Sequence, residues 1–221
     1  LPVSCYKTFY LLPEYPDMIF TANLGFVDGN IYIPPNFLYK ERAGEREPGM
    51  NFFRARGYDI REVPREIPFE GEGDFLKMGS RYFFGWGKRS SKEAKPFLEK
   101  ILNSEVIDFE VNNPYFYHLD TCFMPLNNET VVINSEAFSP KDKARMYSLF
   151  SDVIETSQRD NKFLCCNLVT IEKNILVGAG ISKELQDEFA KRGFRVFPID
   201  TSEFNKSGGS VKCLILKITP L

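Results

Sequence analysis

Residues 75–111 read FLKMGSRYFFGWGKRSSKEAKPFLEKILNSEVIDFEV, and the change of periodicity inside this run decides the fold. Two short runs rich in aromatic residues, 75–78 and 82–86, read as a pair of strands. Ser90 and Ser91 then open a segment in which Ala94, Phe97, Leu98, Ile101 and Leu102 fall at helical spacing. Strand character returns over 106–111. One unit is therefore strand, strand, helix, strand.

The same order can be traced on either side. Upstream, Asp28-Gly29-Asn30 is a turn between an apolar run bounded by Pro16 and Gly25 and the returning strand 31–33, a hairpin signature. Within the first run Thr21 and Asn23 alternate with Phe20 and Ala22, which puts the two polar residues on one face of a strand. A helix over 42–56 is closed by Gly57, and 58–63 alternates as a strand. Downstream come strands 117–124 and 131–135, helix 140–150 and strand 152–156. Strands 164–170 and 175–178, helix 183–192, strand 195–199 and a last strand 211–218 complete the series. Residue-level similarity between units is low, but the element order recurs about four times. A unit that cannot bury its own faces needs neighbours, so the expected fold is α/β, with repeated units packed as blades around an axis. At 221 residues, one domain over 1–221 is expected.

Composition narrows the function classes. An apolar fraction of 43% with 26% charged residues is ordinary for a globular domain. A net charge of −2, with lysine and arginine spread along the chain, argues against nucleic acid as a partner. No apolar stretch approaches the roughly 20 residues of a membrane helix, so no membrane partner is expected. Five cysteines, Cys5, Cys122, Cys165, Cys166 and Cys213, form no CxxC pair and no zinc-like spacing, so neither a metal nor another cofactor is expected. An odd count without a framework suits a reducing compartment, and a cytoplasmic location is expected. The chain opens at Leu1 rather than Met, leaving room for a preceding piece, an organelle-targeting segment included. Self-association into a homo-oligomer is left open.

Taken one at a time, the candidate functional residues have plain structural explanations. In Ser207-Gly208-Gly209-Ser210-Val211-Lys212-Cys213, a flexible loop runs into an apolar strand, and Cys213 alone reads as a core cysteine. Cys122, Cys165 and Cys166 lie inside predicted apolar strands and are taken as core. Glu70, in Glu-Gly-Glu-Gly-Asp, reads as a solvated turn carboxylate, and Asp74 as a structural cap. The chain has a single histidine, His118, and its spacing from Asp120 places both on one face of a strand. Arg42 and Arg89 read as surface charges, although a guanidinium fork suits bidentate carboxylate binding.

Jointly these residues say more. The ordered set Pro-Asp-Met-Ile-Phe-Thr-Ala-Asn (16–23), Phe-Glu-Gly-Glu-Gly-Asp (69–74), Tyr-His-Leu-Asp (117–120) and Gly-Gly-Ser-Val-Lys-Cys (208–213) resembles the guanidine-modifying, or pentein, superfamily. That group comprises arginine deiminases, dimethylarginine dimethylaminohydrolases, amidinotransferases and arginine dihydrolases. The resemblance implies a five-bladed pseudo-symmetric α/β-propeller of ββαβ units with the active site at its axis, the first blade being incomplete in this chain. It further implies Cys213 as nucleophile, His118 as general acid/base and Glu70 as its carboxylate partner. Asp120 would bind the guanidinium, Arg42 and Arg89 the substrate carboxylate, and Asp17, Thr21, Asn23 and Ser210 would complete the substrate site. The partner is then a small arginine-like guanidino compound.

A guanidinium is planar, cationic and resonance-stabilised, so its carbon is a poor electrophile. Paired carboxylates such as Glu70 and Asp120 could fix its N–H groups. The same charges raise the Cys213 thiol pKa in an empty site, and a bound cation reverses that effect. The sequence departs from the deiminases and amidinotransferases at Asn23, where those typically carry aspartate, and there it resembles the dihydrolases. An amide can accept from a guanidinium N–H and also donate to a urea oxygen, so it suits two successive hydrolyses. The expected activity is that of an arginine dihydrolase. The alternatives are single-step deimination or dimethylarginine hydrolysis, amidino transfer, and a non-catalytic arginine-binding pentein.

Overall fold

A computed structural model describes residues 14–218. Among these residues the strands form four three-stranded sheets, each an antiparallel hairpin joined by a parallel third strand. The first sheet holds β1 (Phe26–Asp28), β2 (Ile31–Ile33) and β3 (Asp59–Ile60), with α1 (Lys40–Ala43) and α2 (Arg46–Arg54) crossing between β2 and β3. The second holds β4 (Phe75–Met78), β5 (Arg81–Trp86) and β6 (Val106–Glu110), with α3 (Lys95–Leu102) as the crossover. The third holds β7 (Phe123–Pro125), β8 (Thr130–Ile133) and β9 (Asp152–Glu155) around α4 (Pro140–Leu149). A short α5 (Gln158–Asn161) leads to the fourth: β10 (Val169–Ile171), β11 (Asn174–Gly178) and β12 (Arg195–Ile199) with α6 (Lys183–Lys191), followed by α7 (Ser202–Asn205).

Local chemistry sets the crossover boundaries. Ser139 and Ser182 cap α4 and α6 by accepting the Asp142 and Leu185 N–H groups. Asn103 ends α3 in the left-handed conformation (φ 47°), which asparagine tolerates well.

The core lies between sheets, and the consecutive residues Phe83 and Phe84 of β5 illustrate how. Both are fully buried, yet they point to opposite faces of the strand. Phe83 joins Phe109, Phe123, Val131 and Phe150 in a cluster that continues into the third and fourth sheets. Phe84 joins Phe26, Ile33, Phe69 and Phe75 toward the first. Each sheet thus needs a neighbour on both faces, and the inner hairpin strands face a common axis. Cys122, Cys165 and Cys166 are buried free thiols of the first of these clusters; Cys5 lies outside the described residues.

Four sequence expectations are corrected. The segment 211–218 is not a strand: 211–214 form turns and the remainder has no regular structure. The run 16–24 is two 3-10 turns, Pro16–Ile19 and Thr21–Leu24, broken at Phe20. His118 and Asp120 do not share a strand face, because Leu119–Thr121 is a 3-10 turn and β7 begins only at Phe123. In the fourth unit the inner strand starts at Val169, leaving Cys165 and Cys166 in the preceding turn. The cause is common to all of them. These segments are apolar because they are buried between sheets, which reads as strand, but their backbone must turn at the axis to aim a polar side chain inward.

Candidate active site

The axial turns are tied to one another. Asn23 Nδ2 donates to Glu70 O (3.1 Å), Asn167 Nδ2 to Asp120 O (3.4 Å) and Cys213 N to Asn167 Oδ1 (3.1 Å). Ala22 N donates to Cys213 O (3.0 Å) and Thr21 Oγ1 to Leu214 O (2.8 Å). The 211–214 turn therefore bridges the turn before β10 to the turn before β1, so residues nearly two hundred apart in sequence meet.

The Glu70–Asp74 run is wholly buried, which corrects the expectation of a solvated turn. Its glycines explain how. Gly71 has φ +60°, and a Cβ there would lie 2.5 Å from Gly25 O. A Cβ at Gly73 would lie 2.3 Å from Asn23 Nδ2 and 3.1 Å from the His118 ring. The tight turn sends its three carboxylates in three directions. Glu70 accepts from Leu38 N (3.3 Å) and sits 2.7 Å from His118 Nε2. Glu72 pairs with buried Lys212 (2.8 Å). Asp74 accepts from Ser90 Oγ (2.7 Å) and Leu119 N (2.9 Å) and lies 4.0 Å from His118 Nε2.

This arrangement separates the protonation states. Burial works against an imidazolium at His118, but Asp74, Glu70 and Asp120 outweigh it and hold the ring above its usual range. Burial raises Glu70, yet its hydrogen bond to His118 and the nearby Arg89 bring its carboxyl below normal. Asp74 is pushed up to about 6 by burial. Cys213 Sγ lies 3.7 Å from Asp120 Oδ2, and burial followed by that carboxylate pushes its thiol well up. Burial also raises Asp120, whose Oδ1 is buried without a hydrogen-bond partner. A buried carboxylate oxygen left open is costly unless something arrives to donate to it.

Cys213, His118, Asn23, Arg42, Arg89 and Asp17 line one small pocket of about 40 Å³, together with Phe20, Tyr117 and Ser207, which the sequence did not single out. Arg42 is buried and largely committed: it grips Glu45 with two N–H groups (2.8 and 2.7 Å), Asn23 Oδ1 (2.9 Å) and Asp17 O (3.0 Å). Arg89 is freer, 3.6 Å from Glu70 and flanked by the Tyr39 and Tyr117 rings. Two predicted residues point elsewhere: Thr21 bonds to Leu214 O, and Ser210 Oγ pairs with Thr201 Oγ1 (3.0 Å). A larger cavity of about 290 Å³ opens on the inner strands, lined by Phe26, Lys77, Met124, Lys212 and Lys217 among others. It holds neither thiol nor imidazole, so the smaller pocket is the candidate active site. Among the described residues no group of His, Cys, Asp and Glu could hold a metal ion, and no helix is long and apolar enough to cross a membrane.

ββαβ sheets packed around an axis that carries a thiol, an imidazole and buried carboxylates define a pentein α/β-propeller. The chain belongs to the family described as N,N dimethylarginine dimethylhydrolase, eukaryotic, whose model matches residues 10–220. It is 35% identical over 209 residues to the bifunctional arginine dihydrolase/ornithine cyclodeaminase AgrE of Nostoc sp., covering 93% of this chain and 30% of that protein's length. It is 34% identical to the N(G),N(G)-dimethylarginine dimethylaminohydrolase of Mycobacterium tuberculosis, covering 93% of this chain and 67% of that protein. The product-bound N-terminal domain of ArgZ, a cyanobacterial arginine dihydrolase, superposes with a TM-score of 0.90 at 34% identity, over 93% of this chain and 77% of that one.

Proposed function

We propose that residues 1–221 form a single catalytic domain that hydrolyses the guanidino group of arginine through a covalent amidino-thioether on Cys213, in two rounds that yield ornithine, two ammonia and carbon dioxide. The observation that carries this reading is the open, buried Asp120 Oδ1 beside the Cys213 sulfur, opposite a histidine held above its usual pKa. Asp120 accepts two guanidinium N–H groups, and Arg89, with the one N–H that Arg42 has to spare, meets the substrate carboxylate. The bound cation offsets the Asp120 charge that suppresses the thiolate, so the Cys213 thiol gives its proton to solvent water when substrate is present and the nucleophile forms. Sulfur attacks the guanidinium carbon, and His118 gives its proton to the departing nitrogen, which leaves as ammonia. Neutral His118 then takes a proton from water. The hydroxide adds to the same carbon, the C–S bond breaks and the sulfur departs as thiolate.

Asn23 supports a second round. Its amide donates to Glu70 O and accepts from Arg42, so it enters the pocket as a neutral, oriented group. A carboxylate at this position would repel the ureido oxygen of citrulline, whereas an amide accommodates both guanidinium and urea. The similarity to two bifunctional arginine dihydrolases favours the same reading. The test is to incubate the protein with arginine and count ammonia against ornithine and citrulline. Two ammonia per ornithine is expected; accumulation of citrulline with one ammonia would sink the dihydrolase reading. Single-step dimethylarginine hydrolysis is favoured by the family match instead, and dimethylamine release from dimethylarginine would reveal it.

A further inference from the structure

We infer that Asn167, a residue outside the motifs of the site, is a positioning residue that holds the Cys213 sulfur and stabilises its thiolate form; this rests on reading Cys213 as the nucleophile. Asn167 is completely buried, 46 residues before Cys213 and 47 after Asp120 in sequence. Like Asn23 and Asp120, it sits in a turn that precedes the inner strand of its sheet. Every polar atom of its side chain is directed at the reacting corner. Oδ1 accepts the Cys213 backbone N–H (3.1 Å), and Nδ2 lies 3.1 Å from Cys213 Sγ and 3.4 Å from Asp120 O. Its own carbonyl accepts from Lys212 N (3.3 Å).

The orientation of the amide is fixed by chemistry. Only oxygen can face the Cys213 N–H and only nitrogen can face the Asp120 carbonyl, so an N–H is left aimed at the sulfur. A donor at that distance favours the charged form of the group it bonds. It does so without adding a cation that would compete with a guanidinium for Asp120. The other groups acting on the sulfur are Asp120 at 3.7 Å, the Ser210 backbone N–H and the Lys212 ammonium, itself neutralised by Glu72. Across the pocket stand His118, Asp17, Arg42 and Arg89. The residue also pins the backbone leading into the nucleophile, its side-chain oxygen holding Cys213 N and its backbone carbonyl holding Lys212 N. Asn167 thus acts both on where the sulfur is and on how readily it ionises, donating to Sγ and accepting the Cys213 N–H with one side chain.

Asn167→Asp separates these two tasks, because a carboxylate can still accept the Cys213 N–H but offers the sulfur no donor. The measurement is the pH titration of thiolate ultraviolet absorbance in the substrate-free protein, with Cys213→Ser as baseline, alongside steady-state kinetics. The expected result is a Cys213 midpoint raised by about one pH unit or more. At pH 7, kcat should fall about tenfold or more, with KM changed by less than about threefold. Asn167→Ser, which restores a short donor, should lie between the two, and it serves alone if Asn167→Asp does not fold. A folded variant whose midpoint matches the wild type overturns the proposal even if its activity falls, since that is the signature of a structural role. The titration reads the sulfur without substrate, so failure of wild-type protein to turn over arginine would defeat the proposed reaction and leave this test standing.

Discussion

On one side of the pocket Glu70, Asp74 and His118 are bound to each other and to backbone. On the other, Cys213 is held by the neutral amide of Asn167 and faces a carboxylate with an open oxygen. Burial is equally complete on both sides, so desolvation alone cannot explain their difference. The acid–base side meets its burial internally, charge against charge, which favours the protonated form of His118. On the thiol side Asp120 Oδ1 stays buried without a hydrogen-bond partner, which the proposed reading assigns to the substrate cation. In the empty site, then, burial and Asp120 disfavour the Cys213 thiolate, while Asp74 and Glu70, working against burial, favour the protonated His118 ring. In the proposed reaction, substrate completes the electrostatics as well as the reactants.

The comparison can be broken outright. Cys213→Ala removes the proposed nucleophile and should lower ammonia release from arginine by about ten-thousandfold or more, with no adduct in the mass spectrum. Retained turnover would place the chemistry elsewhere. His118→Ala should cost about 10²- to 10⁴-fold in kcat, and rapid quenching should then catch an accumulating amidino-thioether if deacylation suffers more than acylation. Asn23→Asp puts a further negative charge beside Arg42 and removes the donor to Glu70 O. Its expected effect is a change of product, from two ammonia per arginine to one with citrulline, read by amino-acid analysis.

Smaller effects sharpen the picture. Glu45→Ala leaves the buried Arg42 guanidinium without its bidentate partner and should destabilise the protein by about 3 kcal/mol or more, measured by urea unfolding. The smallest expected change is in pH dependence. His118 acts as an acid only while protonated, so activity should fall as pH rises through its elevated pKa. Asp74→Asn removes an anion that raises that pKa, and the alkaline limb of kcat should move to lower pH by about one unit. Asp74 itself is raised from 3.8 to about 6, so its contribution to stability is full below about 3.8 and lost as pH rises through about 6. In Asp74→Asn the slope of stability over that window should flatten.

Much of the outer architecture was legible along the chain. Phe83-Phe84, the helix over 95–102 and the strand after it announce a sheet buried on both faces with a crossover helix, because their periodicities reflect local geometry. Cys213, His118, Glu70 and Asp120 were singled out by the joint order of four motifs, and the structure brings them close together. Asp74 was read as structural, yet it sits 4.0 Å from His118 and helps to hold its proton. Asn167 gave no local signal at all: it is one asparagine after two apolar cysteines, and its meaning depends on partners 47 residues upstream and 46 downstream.

By itself, then, the sequence determined the repeating ββαβ order and the need of each unit for neighbours, and it nominated the candidate reactive groups, since each of these is written in local pattern and residue type. Only the tertiary structure decided that the apparent strands at 16–24, 117–122 and 211–218 are turns or irregular chain, that the Glu70–Asp74 run is buried, and which carboxylate oxygen is left without a partner. The physical reason is that these turns owe their conformation to one another. Their backbone and side-chain hydrogen bonds close across the axis between sheets, and no stretch of chain contains both ends of those bonds.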